Sequence, residues 1–514
     1  MDKTATTHDA STHVATSPWP ALWAMVIGFF MILVDNSIVS VATPAIGREL
    51  NADVNSAIWV TSAYLLSYAV PLLVTGRLGD RLGPKWVYLT GLAIFTVSSL
   101  WCGLTTSIDQ LILARVVQGV GAALMTPQTM AVITRTFPAA KRGSAMALWG
   151  GTAGVATLVG PILGGVLVDT AGWQWIFFIN VPVGIVGFFL AWRLVPILET
   201  HSHTFDWLGV ALSAVGMFLL TFGIQEGEKY DWGEISGPFT VPVLIVLGVC
   251  VLAGFLEWQN RIKREPLVPL GLFLDRNFSL SNAGIACTSF AITATFLPFT
   301  FYAQAARGWS PTEAALLGAP MAVVMMLASP FVGRLVDTIH PRTITIVGFG
   351  TGALTLLWLS RLIQHTDTPV WLLCTPMALF GVSNACMWAP LAATATRNLP
   401  LTSAGAGSGV YNTVRQVGAV LGSAAVAALI EQRLVAHDLP TNSFGQTGGR
   451  MPVHAHAPFA AAMGDALLLP MLTLVIGLTI ALFFARPPHV RSSAARRSSG
   501  DTRPGAIPPD GPVG

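Results

Sequence analysis

A ten-residue motif that occurs twice constrains the fold of this chain more than any other feature. The first copy reads Gly-Arg-Leu-Gly-Asp-Arg-Leu-Gly-Pro-Lys from Gly76, and the second reads Gly-Arg-Leu-Val-Asp-Thr-Ile-His-Pro-Arg from Gly333. The copies begin 257 residues apart (333 minus 76), and each joins one long apolar run to the next. A charged Gly/Pro turn repeated between membrane-length segments predicts two related halves embedded in a lipid bilayer.

The composition supports a membrane protein. Charged residues make up 10% of the chain, hydrophobic residues make up 53%, and the mean hydropathy is +0.64. Soluble domains carry about 25% charged residues, so lipid must solvate much of this surface. The five cysteines are irregularly spaced within or beside apolar runs, which fits neither a disulfide framework nor a metal site.

Apolar runs of about 20 residues predict fourteen membrane-spanning helices, grouped as six, two and six. They cover residues 20–43, 57–76, 86–106, 110–134, 144–169 and 174–196, then 206–225 and 239–259, then 278–303, 312–335, 343–363, 369–395, 405–430 and 466–485. The predicted fold class is an all-α polytopic membrane protein. Its parts are a disordered tail (1–18), an N-terminal half (19–196), two additional spans with a linker (197–277), a C-terminal half (278–485, outer loop 431–465) and a basic disordered tail (486–514).

The distribution of basic residues predicts the orientation. When both ends of the chain are placed in the cytoplasm, twenty of the 28 Lys and Arg side chains fall on the cytoplasmic side. Two, Arg115 and Arg415, lie within spans, and six fall outside: Arg48, Lys229, Arg307, Arg361, Arg433 and Arg450. Because Lys and Arg are enriched in cytoplasmic loops, we expect both ends to be cytoplasmic. The predicted location is the cytoplasmic (inner) membrane.

Four short patterns occur in order at the first five predicted spans. They are Asp35-Asn36-Ser37-Ile38-Val39-Ser40-Val41-Ala42-Thr43-Pro44; Gly76, Asp80, Arg81, Gly83 and Lys85; Arg115, Gln118, Gly119 and Gly121; and Gly154 with Gly160-Pro161-Ile162-Leu163-Gly164-Gly165, followed by Gly172-Trp173-Gln174-Trp175. With these patterns, residues 20–485 resemble the fourteen-span drug:proton antiporters of the major facilitator superfamily, typified by the EmrB and QacA exporters. The resemblance implies the major facilitator fold, with two six-helix halves and two extra central spans.

Asp35 is the first candidate for proton coupling. A carboxylate in the membrane interior costs about 2.5–3.5 kcal/mol on insertion scales, so it must face a cavity, pair with a cation or be neutral. Arg115 lies at a similar predicted depth on an antiparallel span, which makes it the expected partner. The alternatives are a structural acid capped by Asn36 and Ser37, and an arginine that anchors helix packing. The resemblance assigns proton or drug handling to Asp35 and assistance of proton transfer to Arg115.

The Gly76–Lys85 turn has a different implied role. By resemblance, Asp80 sits at a helix N-terminus, pairs with arginine and latches the outward-facing state together with Gly76, Arg81, Gly83 and Lys85. Pro84 replaces a basic residue that is usual in the family, which weakens the charge cluster. The second copy, with Arg334 and Asp337, is expected to serve membrane topology more than gating. Retention of basic residues in the cytoplasm is the alternative explanation for both copies.

The fifth predicted span is rich in glycine. Small residues four apart let helices approach closely, and a proline within a helix bends it. By resemblance, these residues form the flexible hinge typical of antiporters: Gly154, Gly160, Pro161, Gly164 and Gly165. Ordinary glycine-rich helix packing is the alternative.

Several further residues are weaker candidates. Glu226 follows the seventh span; the pattern favours a solvated loop acid, and a group that carries protons is the alternative. Apolar and polar side chains that could line a drug cavity are Trp59, Tyr64, Gln118, Met125, Phe296, Phe299, Met325, Trp388 and Arg415. Most aromatic and methionine residues in spans serve packing instead. The histidines His437, His454 and His456 have no firm metal-site spacing.

The sequence lacks a Gly-x-x-x-x-Gly-Lys-Ser/Thr loop and any recognisable catalytic constellation, so neither ATP nor an enzymatic reaction is expected to drive it. We expect a proton-coupled exporter of hydrophobic, amphipathic and cationic compounds that works by alternating access and needs no cofactor or metal. Its expected partners are small-molecule substrates, protons and lipid, and a periplasmic adaptor is left open. A dedicated exporter of an endogenous metabolite, lipid precursor or siderophore is the alternative, and a non-transporting membrane sensor is a remote one.

Overall fold

The computed structural model of the chain describes residues 17–52, 54–200, 206–227, 230, 232–236, 239–262, 266–437, 439 and 453–485. The predicted tails, apart from residues 17 and 18, lie outside these ranges. The described residues are almost entirely helical, which confirms the all-α prediction. The one exception is a short antiparallel hairpin of β1 (Glu234–Ser236) and β2 (Phe239–Thr240) between the two central spans.

The N-terminal half forms the first six spans. Its helices are α1 (Trp19–Glu49), α2 (Val54–Ala69), α3 (Leu72–Leu82), α4 (Pro84–Leu104), α5 (Ile108–Thr136), α6 (Arg142–Ala171), α7 (Trp175–Phe178) and α8 (Asn180–Leu194). The additional central spans are α9 (Trp207–Gln225) and α10 (Val241–Arg261), which pack mainly against each other.

The C-terminal half forms the last six spans. Its helices are α11 (Arg276–Phe301), α12 (Pro311–Leu316), α13 (Ala319–Thr338), α14 (Pro341–Ile363), α15 (Val370–Arg397), α16 (Ala404–Ala436), α17 (His456–Ala466) and α18 (Leu468–Ala481). Thirteen helical segments of the described chain are long and apolar enough to span a membrane. The bent pair α2 and α3 makes the fourteenth, in agreement with the predicted number.

The same spans are interrupted in both halves, and a proline follows each break. The second span bends by 47° between α2 and α3, where Pro71 precedes α3. Pro182, Pro320 and Pro470 lie in the first turns of α8, α13 and α18. A proline lacks the backbone N–H and its ring clashes with the carbonyl four residues earlier, so each helix is interrupted in the preceding turn. The shared positions of these breaks support the internal repeat.

The predicted outer loop at 431–465 is shorter in the structure. Helix α16 continues to Ala436, and the last span begins at His456 instead of residue 466. Asp465 interrupts the apolar run at this point, but it is accommodated because Arg433 and His437 lie 3.8 and 3.5 Å from its carboxylate. A sequence rule that excludes charged residues therefore placed the start of this span too late.

The two halves meet mainly along two helix pairs, α3 with α16 and α6 with α13, and also where α15 contacts α6 and α16 contacts α5. The largest cluster of buried apolar side chains crosses this interface and includes Phe29, Met130 and Trp149 together with much of the C-terminal half. Contacts between the halves are close at the end that carries the Gly76–Lys85 turn, so this end is closed. We call it the Gly76 end; the predicted orientation makes it cytoplasmic.

Candidate functional site

Asp35 and Arg115 form a fully buried ion pair inside the N-terminal half. The Nη1 atom of Arg115 lies 2.5 Å from Oδ2 of Asp35, and both side chains have no exposed surface. Asp35 lies on α1 and Arg115 on α5, and these helices run antiparallel, so residues from opposite ends reach similar depth. The two residues singled out by their charge within apolar runs are therefore in contact.

Two amide side chains complete the coordination of the carboxylate. Gln118 and Asn180 donate amide hydrogen bonds to Oδ1 of Asp35 at 2.9 and 3.1 Å. Both amides also donate to the hydroxyl of Ser99, at 2.6 and 3.3 Å. The Asp35 carboxylate thus accepts three hydrogen bonds, one of them from a cation, which compensates the loss of water around its charge.

Arg115 is held by groups other than Asp35 as well. Its Nε donates to the carbonyl of Val60 at 3.1 Å, and its Nη1 also donates to Oε1 of Gln118 at 2.6 Å. The guanidinium lies over the ring of Tyr64, 4.1 Å from the ring centre, which is a cation–π geometry. Tyr64 and Gln118, which were predicted as cavity residues, are therefore part of this buried network, here called the Asp35 network.

Two members of the Asp35 network were not predicted. Ser99 on α4 and Asn180 at the start of α8 are neutral polar residues in apolar spans. Such residues commonly satisfy their own helix backbone, so the sequence offers no reason to single them out. Their burial, at 0% and 4% exposed, and the hydrogen bonds that Asn180 donates to Ser99 and to Asp35 are visible only once the helices are packed.

The first copy of the repeated motif joins the two halves. Oδ1 and Oδ2 of Asp80 accept hydrogen bonds of 2.8 Å from the backbone amides of Gly405 and Ala406. These amides lie in the first turn of α16, where helix geometry leaves N–H groups without partners and favours a negative charge. The resemblance implied that Asp80 sits at a helix N-terminus and pairs with arginine. In the structure the helix N-terminus belongs to the other half, and its two adjacent amides match the two oxygens of Asp80.

The second copy of the motif makes the equivalent contact. Oδ1 of Asp337 accepts from the amide of Gly143 at 2.8 Å, and Oδ2 accepts from the amide and hydroxyl of Ser144 at 3.1 and 2.6 Å. Gly143 and Ser144 begin α6, at the positions that correspond to Gly405 and Ala406 in α16. Each half therefore caps a helix of the other half, and we call these two contacts the reciprocal caps.

The other residues of the two turns have distinct surroundings. Gly83 ends α3 with a positive φ of 88°, a conformation that favours glycine, and it leads directly into Pro84 of α4. Lys85 is buried, whereas Arg81 and Arg334 are exposed. Glycine also allows the close approach of α3 and α16, since a Cβ on Gly76 would collide with the carbonyl of Gly405.

Arg142 also joins the two halves. From the sequence it is only one of the twenty basic residues on the predicted cytoplasmic side. Its guanidinium donates to the carbonyl of Thr396 at 2.9 Å in the C-terminal half. The same side chain donates to the carbonyls of Phe137 and Thr134 at 3.1 and 2.5 Å. A cation favours the negative end of a helix dipole, so Arg142 binds the carboxyl ends of α5 and α15 and holds the halves together at the Gly76 end.

The glycines of α6 face two different neighbours. Gly154 packs against α13 of the other half, where a Cβ would lie 3.2 Å from the sulfur of Met325. Gly160 and Gly164 instead face Ser37 and Ile38 of α1 within the same half, and Gly165 faces open space. Pro161 lies inside the continuous helix α6. Only Gly154 of this group therefore lies at the interface between the halves.

The remaining predicted residues are dispersed. Met125, Phe299 and Met325 are buried in apolar clusters, and Phe296 is partly buried against the largest of them. Trp59 packs against Phe222 of α9, with ring centres 5.8 Å apart.

Glu226 and Arg415 are both buried. Glu226, at the end of α9, is 4% exposed, so the favoured prediction of a solvated loop acid is wrong. Arg415 is 8% exposed and donates from Nη2 to the hydroxyl of Tyr68 at 3.0 Å, and its guanidinium lies 5.8 Å from the ring centre of Trp388. These contacts place Arg415 at the junction of the two halves.

A lateral cavity of about 1000 Å³ opens between α1, α6, α8 and α13, on one side of the interface between the halves. Its lining is mainly apolar and includes Trp23, Phe30, Val155 and Met326. Residues Ser144, Ser329 and Arg334 also line the cavity.

The cavity is separate from the Asp35 network, because neither Asp35 nor Arg115 lines it. Within the described residues, no cluster of His, Cys, Asp and Glu could hold a metal ion.

Two helical halves that cap each other's helices, with a buried ion pair in one half, define a multi-pass membrane transporter and not an enzyme. The comparison with known families agrees. The chain matches the Major Facilitator Superfamily over residues 25–423 and belongs to this family.

Curated relatives of this chain are named for transport, export or drug resistance. An uncharacterized MFS-type transporter of Mycobacterium tuberculosis, Rv1250, is 50% identical over 487 residues, covering 93% of this chain and 83% of the relative. The tetracenomycin C resistance and export protein of Streptomyces glaucescens is 32% identical over 83% of this chain and 80% of its own. The probable multidrug resistance protein EmrY of Escherichia coli is 30% identical over 82% and 81%.

A solved structure supports the fold. The human organic anion transporter MFSD10 superposes with a TM-score of 0.60 over 89% of this chain and 99% of that one. At 12% identity, the similarity concerns the fold alone.

Proposed function

We propose that this protein is a proton-driven exporter of hydrophobic and amphipathic compounds in the cytoplasmic membrane, with both ends of the chain in the cytoplasm. The Asp35–Arg115 pair carries the proposal, because a fully buried carboxylate with a cationic partner is the group in the described spans best suited to bind and release a proton. Relatives named for drug resistance and for tetracenomycin C export support the direction of transport.

The coupling step follows from the contacts of Asp35. A proton on this carboxylate removes the negative charge that Arg115 Nη1 contacts at 2.5 Å, so the guanidinium must seek new partners. Gln118 bonds both residues and Asn180 bonds Asp35 alone, so the rearrangement extends from α1 and α5 to α8. We propose that this local change biases the two halves between their two orientations, with the proton gradient as the energy source.

The reciprocal caps provide the element that has two states. Asp80 and Asp337 bond helix ends of the opposite half, and these bonds exist only while the Gly76 end is closed. With the predicted orientation, the structure corresponds to an outward-facing or occluded transporter. Opening of this end requires the four backbone amides to lose their carboxylate partners, which sets a barrier that substrate and proton binding would lower.

The lateral cavity supports amphipathic substrates. Its apolar lining includes residues of α6 and α13, which lie on opposite sides of the interface between the halves. A compound dissolved in the membrane could reach the interface by this route without crossing water. The sequence pattern favours cationic substrates. The lateral cavity also fits a dedicated exporter of one endogenous metabolite, lipid precursor or siderophore. A membrane sensor that transports nothing would not require the Asp35–Arg115 pair or the reciprocal caps to break and re-form.

The decisive experiment follows lumenal pH in inverted vesicles that are energised by respiration. A panel of lipophilic dyes and drugs is added to vesicles with the wild type, Asp35→Asn or Asp109→Asn, an exposed acid on α5 that serves as the control. Proton release by a compound in the wild type and the control, but not in Asp35→Asn, supports coupling at Asp35. Equal responses of all three would move the coupling role to another acid, with Glu226 first.

Silence of the wild type across the panel, with the protein shown to be folded and monodisperse, would favour a dedicated exporter. Transport of a compound down its own gradient without proton movement, unchanged in Asp35→Asn, would contradict the proposed coupling and indicate a facilitator.

A further inference from the structure

Arg415 is the one buried guanidinium deep in the described spans that has no carboxylate partner. Its Nη2 donates to the neutral hydroxyl of Tyr68, and its Nε has no hydrogen-bond partner within the described chain. Arg115, by contrast, contacts Asp35. A buried cation without a compensating anion is costly, which suggests that an anion supplied from outside the chain occupies the site during the transport cycle.

No described acid of the C-terminal half lies at the depth of Arg415. Glu313, Asp337 and Glu431 lie near the ends of their spans, and Asp465, which is inside the last span, is next to Arg433 and His437 near the far end of α16. Arg415 lies 11 residues into α16, about 16 Å from its start at a rise of 1.5 Å per residue and so near the middle of a hydrocarbon layer of about 30 Å. A cationic ligand at this depth would therefore meet a like charge and no acid of this half.

Aromatic rings from both halves surround the guanidinium. Trp388 of α15 has its ring centre 5.8 Å from Arg415, and the ring centre of Trp149 of α6 lies 6.1 Å from that of Trp388. The indole Nε1 of Trp149 is a buried donor with no partner among the described residues. Flat rings stack on flat ligands, and an unpaired guanidinium and indole N–H are both donors to an acceptor oxygen.

The site is slightly more exposed than the Asp35 network. Tyr68, Arg415 and Trp388 retain 5%, 8% and 8% of their surface exposed, whereas Asp35 and Arg115 retain none. Two of the four side chains, Tyr68 and Trp149, belong to the N-terminal half and two to the C-terminal half. A ligand bound here would therefore contact both moving parts, as a transported substrate must.

We propose that this junction binds planar aromatic compounds that carry an acidic group, with the anion on Arg415 and the ring system between Trp388 and Tyr68. The proposal rests on the proposed export function and specifies the substrate class of the same transporter. It replaces the cationic class favoured by the sequence pattern, because the Asp35 carboxylate is fully buried against Arg115, whereas Arg415 retains exposed surface.

A chain of contacts links this ligand site to the Asp35 network. The rings of Tyr68 and Tyr64 are stacked with centres 6.2 Å apart, and Tyr64 lies under the guanidinium of Arg115. An anion that takes the place of the Tyr68 hydroxyl on Arg415 would displace the first ring of this chain. Substrate binding in one half would thereby disturb the proton-binding pair in the other.

The test compares two dyes with the same planar ring system and opposite charge. Fluorescein is an anionic xanthene and rhodamine 123 is a cationic one. Their binding to the purified full-length protein in lipid nanodiscs is measured by fluorescence polarisation, without a proton gradient. We expect the wild type to bind fluorescein more tightly, Arg415→Gln to lose at least tenfold in fluorescein affinity, and Arg415→Lys to retain part of it. Arg361→Gln, an exposed arginine on α14, should bind as the wild type does.

Tighter binding of rhodamine 123 by the wild type would overturn the proposal, as would equal fluorescein affinity of Arg415→Gln and wild type. If Arg415→Gln does not fold, Trp388→Leu replaces it, and an unchanged fluorescein affinity in that variant would also contradict the site. The readout separates the two proposals. Fluorescein binding without transport in energised vesicles would contradict the export function alone. Proton-linked transport of rhodamine 123 without fluorescein binding would contradict the ligand class alone.

Discussion

The negative charge of Asp35 is compensated entirely by groups within the protein. Removal of this charge therefore leaves those groups without their partner. Asp35→Asn leaves Arg115 buried without an anion, and breaking a buried pair in this way costs about 3–5 kcal/mol. We expect thermal unfolding in detergent to show this loss of stability, and the double variant Asp35→Asn/Arg115→Gln to recover most of it. Neither variant should couple transport to protons.

The control for this comparison is Asp109→Asn, which removes an exposed acid and should leave the unfolding temperature unchanged. A double variant no more stable than the single one would mean that the pair does not act as a unit, and that the hydrogen bonds of Gln118 and Asn180 dominate instead.

At this scale the sequence predicts charged residues well and neutral ones poorly. Asp35, Arg115 and Asp80 stand out because charge in an apolar run is costly and needs a partner. Ser99 and Asn180 do not stand out, because neutral polar groups occur throughout spans with local backbone partners. The orientation of Gln118 toward Asp35, and not toward a cavity, depends on how α4, α5 and α8 pack.

At the scale of helices, the reciprocal caps make a symmetric prediction. Asp80→Ala and Asp337→Ala each remove an acceptor from the first turn of a helix, and the loss of such a cap costs about 0.5–2 kcal/mol. We expect each variant to open the Gly76 end more often. The measurement is the rate of maleimide labelling of Ser408→Cys, a buried position on α16, in a background without native cysteines. The rate should rise by about 2- to 30-fold.

Asp169→Ala, which removes an exposed acid near the other end of α6, is the control and should not alter labelling. An increase for Asp80→Ala with none for Asp337→Ala would show that the second copy of the motif serves membrane topology only, as expected from its sequence.

The contact between α3 and α16 leads to a separate prediction. A Cβ on Gly76 would collide with the carbonyl of Gly405, whereas a Cβ on Gly350 of α14 would meet no atom within 4 Å. We expect Gly76→Ala to lower stability by about 1–3 kcal/mol through overpacking, and Gly350→Ala to be neutral or slightly stabilising because alanine favours helix. Thermal unfolding of both variants tests this, and equal unfolding temperatures would contradict the tight seam.

Hydropathy is sufficient to predict the number of spans but not where they break or end. Fourteen apolar runs are visible in the sequence, yet the 47° bend before Pro71 is absent from a hydropathy pattern. The start of the last span at His456 depends on partners for Asp465, namely Arg433 and His437, which are distant in sequence. Such ends follow from tertiary contacts.

For the whole molecule, the repeated motif is enough to predict two equivalent halves, but not which end of the molecule is closed. The same sequence must form both states of a transporter, and the two differ by only a few kcal/mol. The packing in the structure provides this information through the contacts of Asp80, Asp337 and Arg142. It also shows that the two central helices pack mainly against each other, while α9 touches α2 of one half and α16 of the other.

Alternating access by rocking of the halves predicts that the effect of a cross-link depends on its depth along one helix pair. On α6 and α13, Gly143 faces Val336 at the Gly76 end, and Gly154 faces Met325 eleven residues deeper. A Cβ added to these glycines would lie 2.9 Å from that of Val336 and 3.4 Å from that of Met325. Disulfides need a Cβ–Cβ distance of about 3.5–4.5 Å, so small shifts would allow each pair of cysteines to form a disulfide.

In a background without native cysteines, we expect oxidation of Gly143→Cys/Val336→Cys to abolish transport, because this end must separate, and reductant to restore it. Oxidation of Gly154→Cys/Met325→Cys should leave substantial transport, because this depth lies near the pivot. Each double variant in its reduced form serves as its own control for any disturbance of the Asp337 cap. Equal inhibition by both cross-links would rule out a pivot between α6 and α13 and would require the halves to separate along their whole length.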